Sequence, residues 1–243
     1  MDALSLYRAG QLKPAIDALG DELKKNPLDT KRRTFLFELL CFAGEYDRAS
    51  KQLDVLSDTS AETAAGAMLY RSALHAERTR QEMFAEDKLP LGTSHPASPG
   101  QLNGEEFAEL SDSDPRIGAN LEVFIAGSYT WIPFAYIESI ETEAPKRLRD
   151  LLWLPAILTT TSDFRLQDLG EVLLPVVAPL SWKSADDAVR LGRSTVWEDD
   201  AKYGEIPVGQ KSLLYGDAEE AFLQMRKLSF NHARETAESA TTG

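Results

Sequence analysis

Two short runs of carboxylates are the residues of this sequence whose types and spacing come closest to a catalytic arrangement: Glu138, Glu141 and Glu143 in one run, and Glu198, Asp199 and Asp200 in the other. Two carboxylates perform general acid–base catalysis when their surroundings drive the two pKa values apart. The chain carries 39 acidic against 26 basic residues, and in so acidic a chain such runs more commonly lie on a solvated surface. A hydrolase-type enzyme with an acidic site at the rim of a β domain therefore remains the alternative function.

The three histidines and the single cysteine do not share a motif. His75, His95 and His232 fall in three separate segments, whereas a nucleophilic triad or a zinc site needs side chains that converge. Cys41 precedes His75 by 34 residues, but two ligands do not make a metal site, and a free cysteine is most commonly a small core residue. The glycines form no phosphate-binding loop that leads into a helix. We therefore predict no catalytic residues, no cofactor and no metal.

The net charge restricts the partners of the protein. A formal charge of −13 repels the phosphates of nucleic acids and the surface of anionic membranes at long range. The N-terminal residues show no basic stretch followed by an apolar one, as a signal peptide would. The longest apolar stretches, such as 151–158, are too short to cross a bilayer. We expect a cytoplasmic protein with no nucleic-acid partner and no membrane partner.

A period of 34 residues organises the first third of the chain. The same residue types recur at this spacing in three pairs, which are Gly10 and Gly44, Ala15 and Ala49, and Leu19 and Leu53. This period is typical of tetratricopeptide repeats, in which glycine forms the tight turn and alanine lets two helices approach. An ordinary helical bundle is the alternative. The pattern predicts helices over 2–9, 12–25, 30–43, 46–57 and 62–86.

After residue 87 the pattern changes from helical to β-like. Prolines and glycines make 88–104 a linker. Short apolar runs then predict a hairpin of 121–126 and 129–132 around a Gly127-Ser128 turn, and further strands over 136–142, 151–160, 171–178, 194–198, 206–215 and 222–229. A short helix is expected over 184–191, capped by Ser184. Trp131, Trp153, Trp182 and Trp197 are expected to fill the core rather than to stack a ligand.

The predicted fold is therefore multidomain α and β. Tetratricopeptide-like helical repeats over 1–87 precede the linker over 88–104 and a small antiparallel, barrel-like β domain over 105–230, for which a sandwich is the alternative. The polar tail over 231–243 is expected to be disordered.

The sequence resembles a known family in both parts. The matching segments are Arg33, 35–41, Gly44-Glu45, Ala49 and Gln52-Leu53 in the helices, and 112–118, 121–122, 127–134, 143–145, 148–151, 153–156 and 184–188 in the β region. Together they resemble the ImpE family, also called TagJ or SciE-type proteins, over most of 3–228. The resemblance implies an accessory role in bacterial type VI secretion. It further implies binding to the small sheath subunit of the contractile tail and a link to the ATPase that disassembles the contracted sheath.

We therefore expect a non-enzymatic adaptor whose helical repeats form a groove for an amphipathic partner helix. The residues expected to face that groove are Lys31, Thr34, Glu38, Cys41 and Phe42 in the third helix, and Met68, Ser72, His75 and Ala76 in the fifth. Phe42 and Met68 would be the apolar anchors, unless Phe42 belongs to the core. A chaperone for a secreted effector is a further alternative.

Overall fold

Five helices form the first part of the chain. The structure, a computed structural model, describes residues 1–90, 98–165 and 169–232. The helices are α1 (Ala3–Arg8), α2 (Leu12–Lys25), α3 (Thr30–Phe42), α4 (Tyr46–Ser57) and α5 (Ala61–Ala85). The side chains of Asp2, Asp29 and Ser60 accept hydrogen bonds from backbone N–H groups in the first turns of α1, α3 and α5, which satisfies donors that a helix start leaves unpaired. All five predicted helices are present, within one residue at each end.

Equivalent positions of the 34-residue period share their local structure. Gly10 and Gly44 have φ values of +77° and +69°, a conformation that strains any residue with a Cβ atom. The paired alanines and leucines of the period are fully buried. The period therefore marks equivalent turns and equivalent core positions in two helix pairs, and the assignment to tetratricopeptide repeats stays a prediction.

The second part is an antiparallel β structure. Its strands are β1 (Gly100–Leu102), β2 (Glu105–Phe107), β3 (Ser111–Asp112), β4 (Asn120–Ile125), β5 (Ser128–Pro133), β6 (Ile137–Thr142), β7 (Trp153–Thr160), β8 (Gly170–Pro175), β9 (Thr195–Asp200), β10 (Gly204–Gly209), β11 (Ser212–Tyr215), β12 (Ala218–Ala221) and β13 (Lys227–Phe230). Eight of them form one sheet in the order β2-β1-β13-β6-β7-β8-β4-β5, beside a three-stranded sheet β12-β11-β3 and the hairpin β10-β9. A short helix, α6 (Asp187–Arg190), precedes β9.

The large sheet is open, which corrects the predicted barrel. Its two outer strands are β2 and β5, and closure would require these two to pair. Instead, β5 packs against α5, where the rings of Phe84 and Trp131 lie 6.2 Å apart. Because the helices occupy this end of the sheet, the eight strands do not close on themselves.

Several predicted elements differ in their bounds. The hairpin of β4 and β5 turns at Ala126-Gly127, one residue before the predicted Gly127-Ser128. Both residues have positive φ values, as a type I′ turn requires. The predicted strand over 206–215 is split into β10 and β11, and that over 222–229 is reduced to β13. The short helix is Asp187–Arg190, capped by Asp186 rather than Ser184.

The predicted linker and tail are both partly built into the fold. Residues 100–102 of the linker form β1, which pairs with β13, while 91–97 lie outside the described residues. At the start of the tail, the N–H of Asn231 donates to the carbonyl of Pro99 at 2.7 Å and a ring nitrogen of His232 lies 2.6 Å from the carbonyl oxygen of Ile137. The remainder of the tail, 233–243, also lies outside the described residues.

The helices and the sheet share one of two apolar cores. The first core combines α1 to α5 with Phe124, Leu152, Trp153 and Leu191 from the β part. The second core lies within the β part, between the large sheet and the three-stranded sheet. The large sheet therefore separates the two cores and presents one face to the helices.

Candidate functional site

The predicted groove on the helices is covered by the chain itself. Cys41 and Phe42 are buried beneath Leu152, Val177 and Trp182, with a cavity of about 20 Å³ left between them, too small for the side chains of a partner helix. Burial also raises the pKa of the Cys41 thiol well above its ordinary value, so the thiol stays protonated and unreactive.

Glu38 and Ala76 of the predicted groove are buried too. The carboxylate of Glu38 accepts a hydrogen bond from Tyr70 at 3.2 Å, and Arg149 lies over the Tyr70 ring. Burial raises the pKa of Glu38 to about 7, against the opposing influence of the Tyr70 hydrogen bond and the Arg149 charge. Glu38 is therefore a titratable group inside the contact between helices and β part, where no partner helix can reach it.

The remaining predicted residues lie nearer the surface. Lys31 and His75 are exposed, and the hydroxyl of the half-buried Thr34 donates to the carbonyl of Thr30 in its own helix. The hydroxyl of Ser72 donates to the carbonyl of Met68, and Gly127 of the β4–β5 turn lies against the Ser72 side chain.

The predicted anchor Met68 belongs to an exposed apolar pair. Met68 is 70% exposed, and its neighbour Leu69, which was not predicted, is 69% exposed. Large apolar side chains that stand free on a helix commonly mark a contact surface. These two residues are called the α5 patch below, and Met68 is the one predicted apolar anchor that the fold leaves accessible.

A buried charge cluster lies between α5 and the sheet. It consists of Arg80 on α5, Glu122 on β4, Asp112 on β3 and Lys211 before β11, each at most 4% exposed. The Glu122 carboxylate accepts two hydrogen bonds from Arg80, at 2.7 and 2.9 Å, and one from Lys211 Nζ at 2.5 Å. Lys211 Nζ also lies 2.9 Å from Asp112 Oδ2, and Tyr129 donates to Glu122 at 2.6 Å.

A second layer of hydrogen bonds extends this cluster along α5. Glu77 lies 3.4 Å from Arg80 and accepts from the indole N–H of Trp153 at 3.0 Å. Gln81 donates to Glu77 at 2.6 Å, and its side-chain oxygen accepts from the backbone N–H of Leu180 at 2.8 Å. One turn of α5 is thereby bonded to three separate segments of the β part.

The charges in the cluster hold one another ionised. Burial alone would raise the pKa of Glu122, but the charges of Arg80 and Lys211 outweigh it and hold that pKa far below its usual range. Burial raises the pKa of Asp112 to about 6 despite the nearby Lys211 charge. Because every member is paired and shielded from solvent, the cluster binds the helices to the sheet and exposes no group to a substrate.

The two carboxylate runs do not form a buried pair. Glu138, Glu141 and Glu143 are exposed, and the latter two form surface ion pairs with Lys227 and Lys146. Glu198 and Asp199 are exposed on β9, while Asp200 accepts hydrogen bonds from the N–H groups of Lys202 and Tyr203, which lower its pKa. These six residues lack the contrasting environments that acid–base catalysis needs.

The part of the chain that the structure describes contains neither a metal-binding cluster nor a membrane-spanning helix. Residues 1–90, 98–165 and 169–232 contain no group of three or more His, Cys, Asp or Glu side chains arranged to hold a metal ion. No helix in these ranges combines the length and apolar character needed to cross a membrane.

Comparison with known proteins gives matches in both parts of the chain. A family profile described as "ImpE protein" matches residues 104–229. The type VI secretion system accessory component TagJ of Pseudomonas aeruginosa is 33% identical over 264 residues, covering 95% of this chain and 91% of that protein. The crystal structure of the protein VPA1032 from Vibrio parahaemolyticus superimposes with a TM-score of 0.84 at 24% identity, covering 96% of this chain and 98% of the other. The last match shows a shared fold.

Proposed function

Because this chain belongs to the ImpE family, we propose that it is an accessory component of a type VI secretion system, acting in the cytoplasm as a non-enzymatic adaptor. The observation that carries this proposal is the 33% identity to a protein named as such a component, which extends over 95% of the chain. An identity that spans both the helices and the sheet supports a role for the whole molecule rather than for one of its parts.

The proposed partner is the small sheath subunit of the contractile tail, bound through an amphipathic helix. We assign the contact to the α5 patch rather than to the groove first predicted from the repeats, since Cys41 and Phe42 are covered. Met68 and Leu69 offer apolar anchors, while the exposed Ala65 beside them is small enough to let another helix approach closely. Lys31 and His75 are exposed polar residues of the same predicted site.

Calorimetry on the full chain with a synthetic peptide of the sheath subunit's N-terminal helix tests this contact. We expect micromolar binding, and a loss of about 1–3 kcal/mol for the Met68→Ala/Leu69→Ala variant if the pair is a central anchor. Leu28→Ala is the matched control, since Leu28 is 72% exposed on the turn between α2 and α3. Equal weakening by the control, or no heat with the wild type at hundreds of micromolar, would argue against the assignment.

We further propose that the adaptor connects the sheath with the ATPase that disassembles it. In that case the ATPase co-purifies with the chain from native cytosol, together with the small sheath subunit. Mass spectrometry of the captured proteins also distinguishes the alternative, because a chaperone would retain a secreted effector and not the sheath.

A further inference from the structure

The hairpin of β9 and β10 carries a second accessible surface. Within the described residues, β9 pairs with β10 alone, over a continuous register from Thr195↔Gly209 to Asp200↔Gly204. The residues from Val196 to Asp199 are all exposed, Val196 by 39% and Trp197 by 44%. We propose that the free edge of β9 binds an extended, positively charged segment of a partner protein as an added strand.

The backbone of β9 is already extended and fixed by its pairing with β10. A strand at a sheet edge presents unpaired N–H and C=O groups that another chain can use. The neighbouring strand is fixed in the body of the protein, since Pro207, Val208 and Gly209 are buried and the Gly209 carbonyl accepts from the N–H of Ala178 at 2.7 Å. An added strand therefore meets a preformed edge and need not order the hairpin first.

The side chains of β9 supply anchors on both faces of an added strand. Val196 and Trp197 alternate across the strand, so one points to each face. Trp197 was expected in the core with the other tryptophans, yet Trp153 is buried and Trp131 and Trp182 are half-buried, so Trp197 is the exposed one of the four. Tryptophan is among the residues that contribute most to binding at protein interfaces.

The charge of the hairpin determines the kind of partner. Asp199 lies directly opposite Glu205 across the hairpin, and Glu198 adds a negative charge on the other face of β9. Like charges in this position destabilise a strand pair. Lys202 of the connecting turn does not neutralise them, because it is paired with Asp87 at 2.6 Å. Lysine or arginine side chains on a third strand would relieve this repulsion. A second copy of this chain would add to it, since each copy carries −13.

The proposal is tested with the full chain and a capped eight-residue peptide in which Lys alternates with Val and Thr. Two further versions carry N-methyl groups on the odd or on the even residues. Every second N–H of an added strand points at its neighbour. We therefore expect the parent peptide to bind with a Kd below about 1 mM, and one N-methylated version, but not the other, to bind at least about tenfold more weakly.

Variants of the protein identify the surface. Asp199→Lys and Trp197→Ser should each weaken binding of the parent peptide about tenfold. Glu138→Lys, a charge reversal at an exposed side chain of β6, changes the net charge equally and should leave binding unchanged within about twofold. Absence of binding, equal loss with both methylated versions, or equal effects of Asp199→Lys and Glu138→Lys would each overturn the proposal.

Discussion

At the scale of single residues, Glu122 shows how a charge is kept inside the fold. Its two carboxylate oxygens receive hydrogen bonds from Arg80, Lys211 and Tyr129, and Asp112 balances the second cation. A buried carboxylate is tolerated only when its partners replace the water it has lost. A lone Glu between the apolar residues Leu121 and Val123 is a signal that sequence inspection can detect. Its two cationic partners, Arg80 and Lys211, lie 42 and 89 residues away, where no local spacing reveals them.

Removal of one cation from the charge cluster should be costly. Lys211→Met leaves Asp112 and Glu122 facing each other without the cation that they share. We therefore expect the free energy of unfolding to fall by about 3–5 kcal/mol. Urea denaturation followed by circular dichroism measures this change. Adding Asp112→Asn removes the uncompensated charge and should recover part of the loss. A double variant no more stable than Lys211→Met alone would contradict this account.

The raised pKa of Glu38 predicts a pH-dependent stability. In the folded protein Glu38 holds its proton up to about pH 7, whereas a pKa of 4.5 is ordinary for the unfolded chain. The contribution of protonated Glu38 to stability is therefore present below pH 4.5 and is lost as the pH rises to about 7. Glu38→Gln keeps a neutral side chain at every pH. Its free energy of unfolding relative to wild type should therefore rise between pH 4.5 and 7, by up to about 3 kcal/mol.

Denaturation curves across this pH range measure the effect. The exposed Glu62→Gln on α5 controls for the loss of one negative charge. A difference between Glu38→Gln and wild type that does not change with pH would show that the pKa of Glu38 is the same in the folded and the unfolded protein.

At the scale of elements, the helices were predictable and their exposed faces were not. The capping residues and the 34-residue period act over a few turns, so the sequence contains them directly. The apolar α3 was expected to line a groove for a partner. Its exposure depends on Leu152, Val177 and Trp182, which come from the β part and cover the same face. Phe42 is accordingly a core residue, the alternative that the sequence left open.

Gly44 and Gly10 both need a positive φ, but only Gly44 is also packed closely against another side chain. Both have positive φ, so alanine should cost about 1–2 kcal/mol at either position. A Cβ atom at Gly44 would also lie 2.5 Å from the Trp182 ring, whereas at Gly10 the nearest atom is 3.6 Å away on Arg193. Gly44→Ala should therefore destabilise the protein by more than Gly10→Ala, as measured by urea denaturation. Equal losses would mean that Trp182 moves aside without cost.

At the scale of the whole molecule, the helices and the sheet behave as one packed body. Besides the charge cluster, Arg193 donates to the carbonyls of Tyr7 and Arg8, and Asp187 accepts from the N–H of Leu12 at 2.8 Å. The change of sequence pattern after residue 87 predicted helices followed by strands, and the structure has this order; the division into separate domains stays a prediction. The predicted barrel-like domain is not confirmed, since the large sheet is open; closure depends on pairing between β2 and β5, which no single segment encodes.

Limited proteolysis tests this packing. The prolines and glycines of 88–104 favour cleavage there, before β1 at Gly100. We expect two fragments on a denaturing gel but one complex in gel filtration, because the apolar core and the charge cluster cross the cut. Fragments that separate without denaturant would show that the shared core contributes little to the stability of the assembly.

The position of β13 in the large sheet has a consequence for biosynthesis. This strand, the last in the described residues, lies between β1 and β6, so the ribosome must synthesise the chain as far as Phe230 before the sheet can assemble. The helices emerge first, at roughly 5–20 residues per second, and wait roughly 7–30 s for the strands that cover them. During translation the apolar surface of α3 around Phe37 therefore stands open, and the nascent helical segment is the stage at which chaperone binding or misassembly would occur.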